Sequence, residues 1–277
     1  MQTSADTRVA FIGAGNMASA MIQGLLRSGT SAQQIRVADP VADARTRLSA
    51  LGVTALSDNN EAVAEADAVV LAVKPQVAQQ VMQSITVLQP EQLLVSIAAG
   101  INLASLTKWT SAQQAIVRCM PNTPALLGAG ISGLYANQCV TPSQRSLAEG
   151  LLRSAGSTLW VRAEAELDAV TAVSGSGPAY FFLLMEAMID AGVALGLDRD
   201  SATELTLQTA HGAALMAQQE NTNPAQLREN VTSPGGTTAA ALNVMLEADM
   251  PGTIQAALQA AQQRAIAMAQ EFGGDPS

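Results

Sequence analysis

Residues 9–18, VAFIGAGNMA, join an apolar, β-branched run to a glycine turn and then to the start of a helical stretch. Gly13 permits a tight turn, Gly15 lets the backbone approach a pyrophosphate, and Ala18 keeps helix and strand close together. The N-terminus of the helix supplies amide donors and positive potential for an anion. A turn without a ligand has the same glycines, but this one stands first in an alternating series of strands and helices, which favours a dinucleotide.

The first half of the chain continues this alternation, which is typical of parallel strands covered by helices. The apolar spacing of residues 16–27 predicts the first helix, and Ser28-Gly29 supplies its stop signal. Predicted strands cover residues 8–12, 35–38, 68–72, 93–97, 115–118 and 158–161. After about residue 164 only helical signals remain, near residues 178–195, 200–219, 224–230, 237–248 and 251–271. We therefore predict two domains, an α/β domain over residues 1–164 and an all-α domain over residues 165–277.

The composition excludes several classes of function. Fourteen basic and 23 acidic side chains give a formal net charge of −9, which disfavours electrostatic binding of nucleic acid. Two cysteines and one histidine are too few for the usual Cys/His zinc site, so we expect no protein-bound metal. Residues 1–6 lack the basic and apolar segments of a secretory signal, so we expect a cytoplasmic protein.

The segment 177–196 approaches the roughly 20 apolar residues that span a bilayer. It contains Glu186 and Asp190, which lie four residues apart on one helical face, where carboxylates in lipid would be costly. We therefore expect a helix buried between protein surfaces and no membrane partner. Several helices of the second half are apolar on more than one side, which predicts an obligate oligomer built through this half.

Asp39 follows the second predicted strand, a little farther from Gly13 than the usual spacing of the acid that bonds the adenosine ribose. An acid at this point favours NADH because it repels a 2′-phosphate. Arg36, Arg45 and Arg47 are close in sequence and able to neutralise such a phosphate, so NADPH stays equally open. Asp39 is explained just as well as a cap of the next helix.

Six stretches occur together in a characteristic order. They are IGAGNMASAMIQGL (12–25), AVKPQ (72–76), SIAAG (96–100), VRCMPNTPALLGAG (117–130), AVTAVSGSGPAYFFLLMEAM (169–188) and VTSPGGTT (231–238). Together they resemble the Δ1-pyrroline-5-carboxylate reductase family over nearly the whole chain, and the SGSGPAY and TSPGGTT blocks are the most specific. The resemblance implies an N-terminal Rossmann-type dinucleotide-binding domain, an all-α dimerisation domain, and a homodimer that often assembles into a decamer of five dimers.

The reaction implied by this resemblance is hydride transfer from NADPH or NADH to the C=N carbon of a small-molecule substrate, pyrroline-5-carboxylate, to give L-proline. The resemblance also implies that the active site lies between the cofactor of one subunit and the helical domain of its partner. No catalytic dyad is evident, and none is needed, because a protonated imine already accepts hydride. The protein then has to orient two rings, neutralise a carboxylate and exclude water.

The resemblance assigns residues to the cofactor and to the substrate. The implied cofactor residues are Gly13, Ala14, Gly15, Asn16, Met17, Ala18, Asp39, Asn59, Ala72, Val73, Lys74 and Pro75. The implied substrate residues are Ser233, Gly235, Gly236, Thr237, Thr238, Ser174, Ser176 and Glu164. Thr238 is the implied catalytic residue, with its hydroxyl placed to bond the ring nitrogen. The glycines of residues 233–238 expose successive amides before a helix start, which suits an anion.

Ordinary structural roles compete with several of these assignments. Residues 233–238 are also explained as a helix N-cap with a glycine lead-in, and Ser176 as the cap of a long helix that starts near Pro178. Asn59 is explained as the cap of a helix beginning two residues later. Lys74 is explained as a solvated charge, and Glu164 as an exposed acid at a helix start.

Two other functions remain open from the residues alone. A hydroxy-acid dehydrogenase or general imine reductase has a similar two-domain organisation, but hydroxy-acid enzymes usually use a lysine or histidine acid in the helical half. Residues 165–277 contain no lysine and a single histidine, His211. A non-catalytic dinucleotide sensor would leave the TSPGGTT loop without a purpose.

Overall fold

The computed structural model describes residues 7–219 and 223–273. Contacts divide the chain into two compact units. The first contains the residues up to Ser176 together with those from Ala260 onward, and the second is Gly177–Gln259. The assignment of domains to residues 1–164 and 165–277 stays a prediction.

The first unit contains one eight-stranded sheet. Its strands are β1 (Val9–Ile12), β2 (Ile35–Ala38), β3 (Thr54–Leu56), β4 (Ala68–Leu71), β5 (Leu93–Ser96), β6 (Ala115–Met120), β7 (Gly130–Ala136) and β8 (Gly156–Trp160). They lie in the order β3-β2-β1-β4-β5-β6-β7-β8, and every pair is parallel except β6 and β7. The strand order reverses between β1 and β4, and their carboxyl ends therefore form the crevice in which α/β sheets bind ligands.

Helices cover both faces of this sheet. Those of the first unit are α1 (Asn16–Arg27), α2 (Ala42–Ser49), α3 (Asn59–Val63), α4 (Pro75–Ser84), α5 (Leu103–Trp109), α6 (Pro142–Arg153) and α7 (Glu166–Val170). Successive residues of β1 point to opposite faces. Val9 and Phe11 belong to the buried layer shared with α1 and α6, whereas Ala10 and Ile12 belong to the layer shared with α3, α4 and α5. Because both faces are covered, the strands are apolar throughout, which is why the sequence predicts six of the eight.

The last helix also contributes to the first unit. Helix α12 spans Met250–Phe272, and its second half lies beside α5 and the loop that precedes it. The Ser105 hydroxyl donates to the Gly273 carbonyl oxygen at 2.6 Å. Gly100 has a positive φ of 75°, and a Cβ at that position would lie 3.0 Å from the Cβ of Met268. The end of the chain is therefore part of the layer on this face of the sheet.

The second unit consists of α8 (Gly177–Ala194), α9 (Arg199–Ala217), α10 (Pro224–Asn230), α11 (Thr237–Glu247) and the first half of α12. Helices α8 and α9 pack closely where Gly192 meets Ala202. Large apolar side chains of α8 are nevertheless exposed, with Phe181 63%, Phe182 62% and Leu183 66% accessible. In the described part of the chain, Glu166–Ala194 is the one helix long and apolar enough to cross a membrane. Only 11% of its most apolar 18-residue segment is buried within the single chain. Burial of this helix between protein surfaces therefore requires a surface outside the single chain.

Helix α8 begins at Gly177 with Pro178 in its first turn, as expected, but Ser176 is not its cap, and that part of the prediction is wrong. Helix α7 continues through a π-helical turn, Thr171–Gly175, and Ser176 has helical dihedral angles of φ −85° and ψ −20°. The Ser176 amide donates to the Thr171 carbonyl oxygen at 2.8 Å. Proline has no N–H and its ring crowds the preceding turn, and the wider π turn directly before Pro178 accommodates both features.

Gly24 offers a test of the packing on one face of the sheet. A Cβ at this position of α1 would overlap the backbone carbonyl of Ser154, just after α6. We expect Gly24→Ala to lower the free energy of unfolding by about 1–3 kcal/mol, because a backbone carbonyl moves less easily than a side-chain end. Gln23→Ala, on the exposed side of α1, should change it by less than about 0.5 kcal/mol. Denaturant unfolding at fixed protein concentration measures both, and equal stability of the two variants would contradict this close packing.

Candidate active site

The glycine turn after β1 is held tightly against the end of β4. Gly13 has a φ of 100°, and its amide donates to the Ala38 carbonyl oxygen at 2.8 Å. A Cβ on Gly13 would lie 2.6 Å from the carbonyl oxygen of Ala72. Both the positive φ and this close approach require glycine. The predicted cofactor segments 13–18 and 72–75 therefore meet at one point of the crevice.

The N-terminus of α1 is open. Gly15 occupies the N-cap position and provides no side-chain cap, so the first amides of the helix, at Asn16 and Met17, have no intrahelical acceptor. A Cβ on Gly15 would meet no atom within 4 Å, whereas Ala18 is buried against the strand. Free amides, the helix dipole and open space in front of a glycine fit the pyrophosphate of a dinucleotide.

Asp39 is bound to the glycine turn. Its Oδ2 accepts a hydrogen bond from the Ala14 amide at 2.8 Å, and its Oδ1 accepts one from the Val41 amide at 2.8 Å. The N-cap of α2 is Val41 rather than Asp39, and it makes no side-chain cap. The interpretation of Asp39 as a helix cap is therefore wrong, since its carboxylate lies between two loop amides at the carboxyl end of β2.

Two of the arginines near Asp39 in sequence, Arg36 and Arg45, have hydrogen-bond partners other than its carboxylate. The Arg36 guanidinium bonds the Glu61 carbonyl oxygen and pairs with Glu65 at 2.8 Å. Arg45 Nη1 donates to the carbonyl oxygens of Asp39 and Pro40 at 2.7 and 2.8 Å, which braces the loop without bonding the Asp39 carboxylate. The Asp39 carboxylate thus has no ion pair with either arginine.

Asn59 and Lys74 belong to two neighbouring loops of the same sheet. Helix α3 begins at Asn59 and is capped by Asp58, which accepts the Asn60 amide at 2.7 Å, so the interpretation of Asn59 as a cap is wrong. In the described ranges, the Asn59 side chain makes no hydrogen bond, and Lys74 makes no ion pair. Lys74 occupies the N-cap position of α4 with Pro75 following. Both side chains are therefore free to contact a ligand.

The loop 233–238 forms a second open helix N-terminus. Gly236 is the N-cap of α11 and provides no side-chain cap, so the amides of Thr237 and Thr238 lack intrahelical acceptors. Gly235 has a φ of 70°, and the Gly236 amide donates to the Ser233 carbonyl oxygen at 3.0 Å. The loop is thus a helix N-cap with a glycine lead-in, as the structural interpretation predicts, and no side chain bonds its first amides. The turn presents bare amides, as an anion requires.

Glu164 is not an exposed acid at a helix start. Its Oε1 accepts the Leu103 amide at 2.7 Å and pairs with Arg118 Nη1 at 2.5 Å. Ser174 donates its hydroxyl hydrogen to the Val170 carbonyl oxygen at 3.0 Å, as serines in helices often do. The predicted contacts of Glu164, Ser174 and Ser176 with substrate stay predictions.

Sequence reasoning missed Arg118 and its neighbour Asp168. Arg118 lies within a strand of otherwise uncharged residues, AIVRCM, and a buried guanidinium in such a run requires an acidic partner, which was the available signal. The pKa of Asp168 is raised overall: burial raises it most, the charge of Arg118 lowers it, and the charge of Glu164 raises it.

Burial raises the pKa of the Cys119 thiol, next to Arg118 in the strand, to about 12, although a hydrogen bond with Ser132 lowers it. Cys119 is therefore no nucleophile.

Comparisons with known proteins agree on one family. Residues 164–268 match the family model for pyrroline-5-carboxylate reductase dimerisation, and residues 8–100 match that for NADP oxidoreductase, coenzyme F420-dependent. A pyrroline-5-carboxylate reductase of Pseudomonas aeruginosa is 53% identical over 96% of this chain and 98% of its own. The solved structure of a pyrroline-5-carboxylate reductase from Coxiella burnetii is 38% identical with a TM-score of 0.89, covering 95% of this chain and 99% of that one. The Plasmodium falciparum pyrroline carboxylate reductase, solved with NADP bound, is 31% identical with a TM-score of 0.87. The match covers 96% of this chain and 100% of that one.

Asp168 gives the stability of the protein a distinct pH dependence. Since its pKa is raised, the folded protein binds this proton more tightly than the unfolded chain, and the ionised carboxylate costs stability. The cost is absent below the ordinary pKa of about 3.9 and grows as the pH rises through the folded-state pKa. We expect Asp168→Asn to be more stable than the parent near neutral pH, by less than about 1 kcal/mol because the group is partly solvated.

Thermal unfolding of Asp168→Asn and the parent at acid and neutral pH measures this difference. Glu166→Gln is the matched control, since Glu166 is exposed on the same helix, and we expect no comparable gain from it. A parent that is the more stable protein at neutral pH would contradict the assigned burial cost.

Proposed function

Because the chain belongs to the pyrroline-5-carboxylate reductase family, we propose that its glycine turn and its 233–238 loop hold the two reactants of that reaction. The enzyme reduces L-1-pyrroline-5-carboxylate to L-proline, the last step of proline biosynthesis, with NADPH or NADH as hydride donor. Because these relatives are pyrroline-5-carboxylate reductases, they favour this activity over the two alternatives, a hydroxy-acid dehydrogenase and a dinucleotide sensor. One observation carries the assignment of the site: both segments end in a helix N-terminus that no side chain caps. One open N-terminus suits the pyrophosphate, and the other suits the substrate carboxylate.

The cofactor residues lie at the carboxyl ends of β1, β2 and β4. The amides of Asn16, Met17 and Ala18 bind the pyrophosphate, and the absence of a side chain at Gly15 lets it come close. Asp39 and Asn59 face the adenosine ribose. Gly13, Ala14 and the segment Ala72, Val73, Lys74 and Pro75 complete the cradle. Lys74 lies free at the start of α4, which suits contact with the nicotinamide half or attraction of the anionic substrate.

The substrate residues lie in the turn before α11. The amides of Thr237 and Thr238 and the Ser233 hydroxyl bind the carboxylate, and the left-handed Gly235 shapes the turn. Gly236, whose own amide bonds the Ser233 carbonyl oxygen, keeps the N-cap free of a side chain. The Thr238 hydroxyl bonds the ring nitrogen and is the catalytic contact. Ser174 and Ser176 are secondary contacts. Glu164 is left out of the substrate site, because its carboxylate is already bonded to the Leu103 amide and to Arg118.

The reaction needs no dedicated general acid. When bound, the reduced nicotinamide supplies the hydride. The protein orients the imine through Thr238, neutralises the carboxylate with loop amides and excludes water from the ring. Neither the Cys119 thiol, which stays protonated, nor His211 is required for these steps.

The chain self-associates through its helical part, which matches the dimerisation model of the family. We infer that the homodimers assemble further into a decamer of five dimers, and that the protein is cytoplasmic. The exposed aromatic and aliphatic side chains of α8 support an extensive contact between protein surfaces. The Asp190–Arg199 ion pair at 2.9 Å, which joins that helix to α9, supports a protein surface rather than lipid around it. The net charge of −9 supports the absence of a nucleic-acid partner.

Thr238→Ala tests the substrate turn. We expect kcat/KM for pyrroline-5-carboxylate to fall about 10- to 100-fold, because one hydrogen bond to a charged group is lost, while binding of NADPH stays near normal. Absorbance of the reduced nicotinamide measures turnover, and fluorescence titration measures cofactor binding. Thr203→Ala is the matched control, since this hydroxyl bonds the Arg199 carbonyl of its own helix. Unchanged turnover in Thr238→Ala would refute its catalytic assignment.

Asp39→Asn tests the choice of cofactor. Removing the negative charge beside the ribose should raise the ratio of kcat/KM for NADPH to that for NADH by roughly fivefold, the effect of about 1 kcal/mol of charge repulsion in water. Asp43→Asn, in the first turn of α2, is the control and should leave the ratio unchanged. If Asp39→Asn leaves the ratio unchanged, Asp39 does not select the cofactor.

A further inference from the structure

A cavity of about 580 Å³ lies in the first unit, between α5, the Glu164–Asp168 segment and the second half of α12. Its volume falls within the range of about 300–1,000 Å³ that is typical of small-molecule sites. The polar side chains in its lining are Asn102, Ser105, Lys108, Arg118, Glu164, Asp168 and Gln270. Of these, Glu164 has been considered above for the substrate, and its carboxylate is committed to Arg118. The proposed reaction therefore assigns no contact to this cavity.

Arg118 presents unused hydrogen-bond donors to this cavity. The residue is 9% exposed, and its one described partner is Glu164, bonded through Nη1. A guanidinium has five N–H donors, so most of them remain available. Over residues 7–219 and 223–273, the one fully buried side-chain N or O atom without a partner is Ser111 Oγ. The remaining donors of Arg118 are therefore not fully buried, and Arg118 lines this cavity.

Asp168 and Lys108 add one unpaired charge of each sign. Within the described ranges the Asp168 carboxylate makes no hydrogen bond or ion pair, although burial raises its pKa and its ionised form is therefore costly. Lys108 is exposed at the rim on α5 and makes no ion pair there. The lining thus has two cations and two carboxylates with no net charge. Ile266 and Ala269 of α12 supply an apolar side.

We propose that this cavity binds a free α-amino acid as its zwitterion. The carboxylate pairs with Arg118 and Lys108, the ammonium group pairs with Asp168, and an apolar side chain lies against Ile266 and Ala269. A simple anion would meet two carboxylates and a simple cation would meet two bases, whereas a zwitterion satisfies both sets at once. The stability that Asp168 costs the unliganded protein is consistent with a residue kept for binding.

Isothermal titration calorimetry of the intact oligomeric enzyme tests this proposal. L-Leucine is the probe, and its two controls are 4-methylpentanoate, which lacks the amine, and 3-methylbutylamine, which lacks the carboxylate. We expect saturable binding of L-leucine with a millimolar or lower Kd, and binding of each control at least about tenfold weaker, because each lacks one charged contact. No saturable heat with L-leucine, or equal binding of either control, would overturn the proposal.

Variants locate the binding within the molecule. Lys108→Ala and Asp168→Asn should each raise the Kd for L-leucine about tenfold. The matched controls Arg153→Ala and Glu166→Gln, both at exposed positions outside the lining, should leave it unchanged. Thr238→Ala should also leave it unchanged, which separates this cavity from the substrate turn. Unaltered binding in both cavity variants, or loss of binding in Thr238→Ala, would overturn the assignment whether or not the proposed reaction holds.

Discussion

The hydrogen bond from the Ala14 amide to the Asp39 carboxylate ties the first βα turn to the end of the neighbouring strand. On the other side of the turn, Gly13 comes so close to the Ala72 carbonyl that no side chain fits. Three strand ends are thereby joined at the point where the strand order reverses. The direction of α1, and with it the position of its free amides, follows from these two contacts. A site for a dinucleotide is in this sense a property of backbone packing, to which few side chains contribute.

The two open helix N-termini differ in how firmly the rest of the chain packs around their helices. The first stands on a sheet with two buried apolar layers, so its geometry is determined within one chain. The second begins α11, none of whose residues is fully buried in the single chain. Since helices gain most of their stability from packing, the turn that begins α11 depends on the association of subunits for its rigidity. With this turn as the proposed substrate site, assembly and catalysis are linked through α11.

Local patterns predicted most of the fold, and contacts between distant residues account for the rest. The glycine turn and the apolar strands are local signals, and six strands and α1 were found from them. Strand β3 has three residues, and β7, GISGLYA, contains two glycines, so neither carries a strong β pattern. Gly175 of the π turn packs against Met120, which is distant in sequence, since a Cβ on Gly175 would lie 2.5 Å from Met120 Cε. For the same reason, the sequence left the partners of Asp39 ambiguous and did not reveal the ion pair of Arg118 and Glu164.

The return of α12 to the first unit has a consequence for protein synthesis. A chain leaves the ribosome N-terminus first, and the eight strands have all emerged well before Met268 and Gly273. Until then the Ser105 hydroxyl lacks its carbonyl acceptor, and α5 lacks its neighbouring helix. A nascent chain can thus build its sheet during translation, but it cannot complete the helical layer beside α5 until α12 is present. Emergence of α12, rather than completion of the sheet, is the event that finishes the nucleotide-binding half of the molecule.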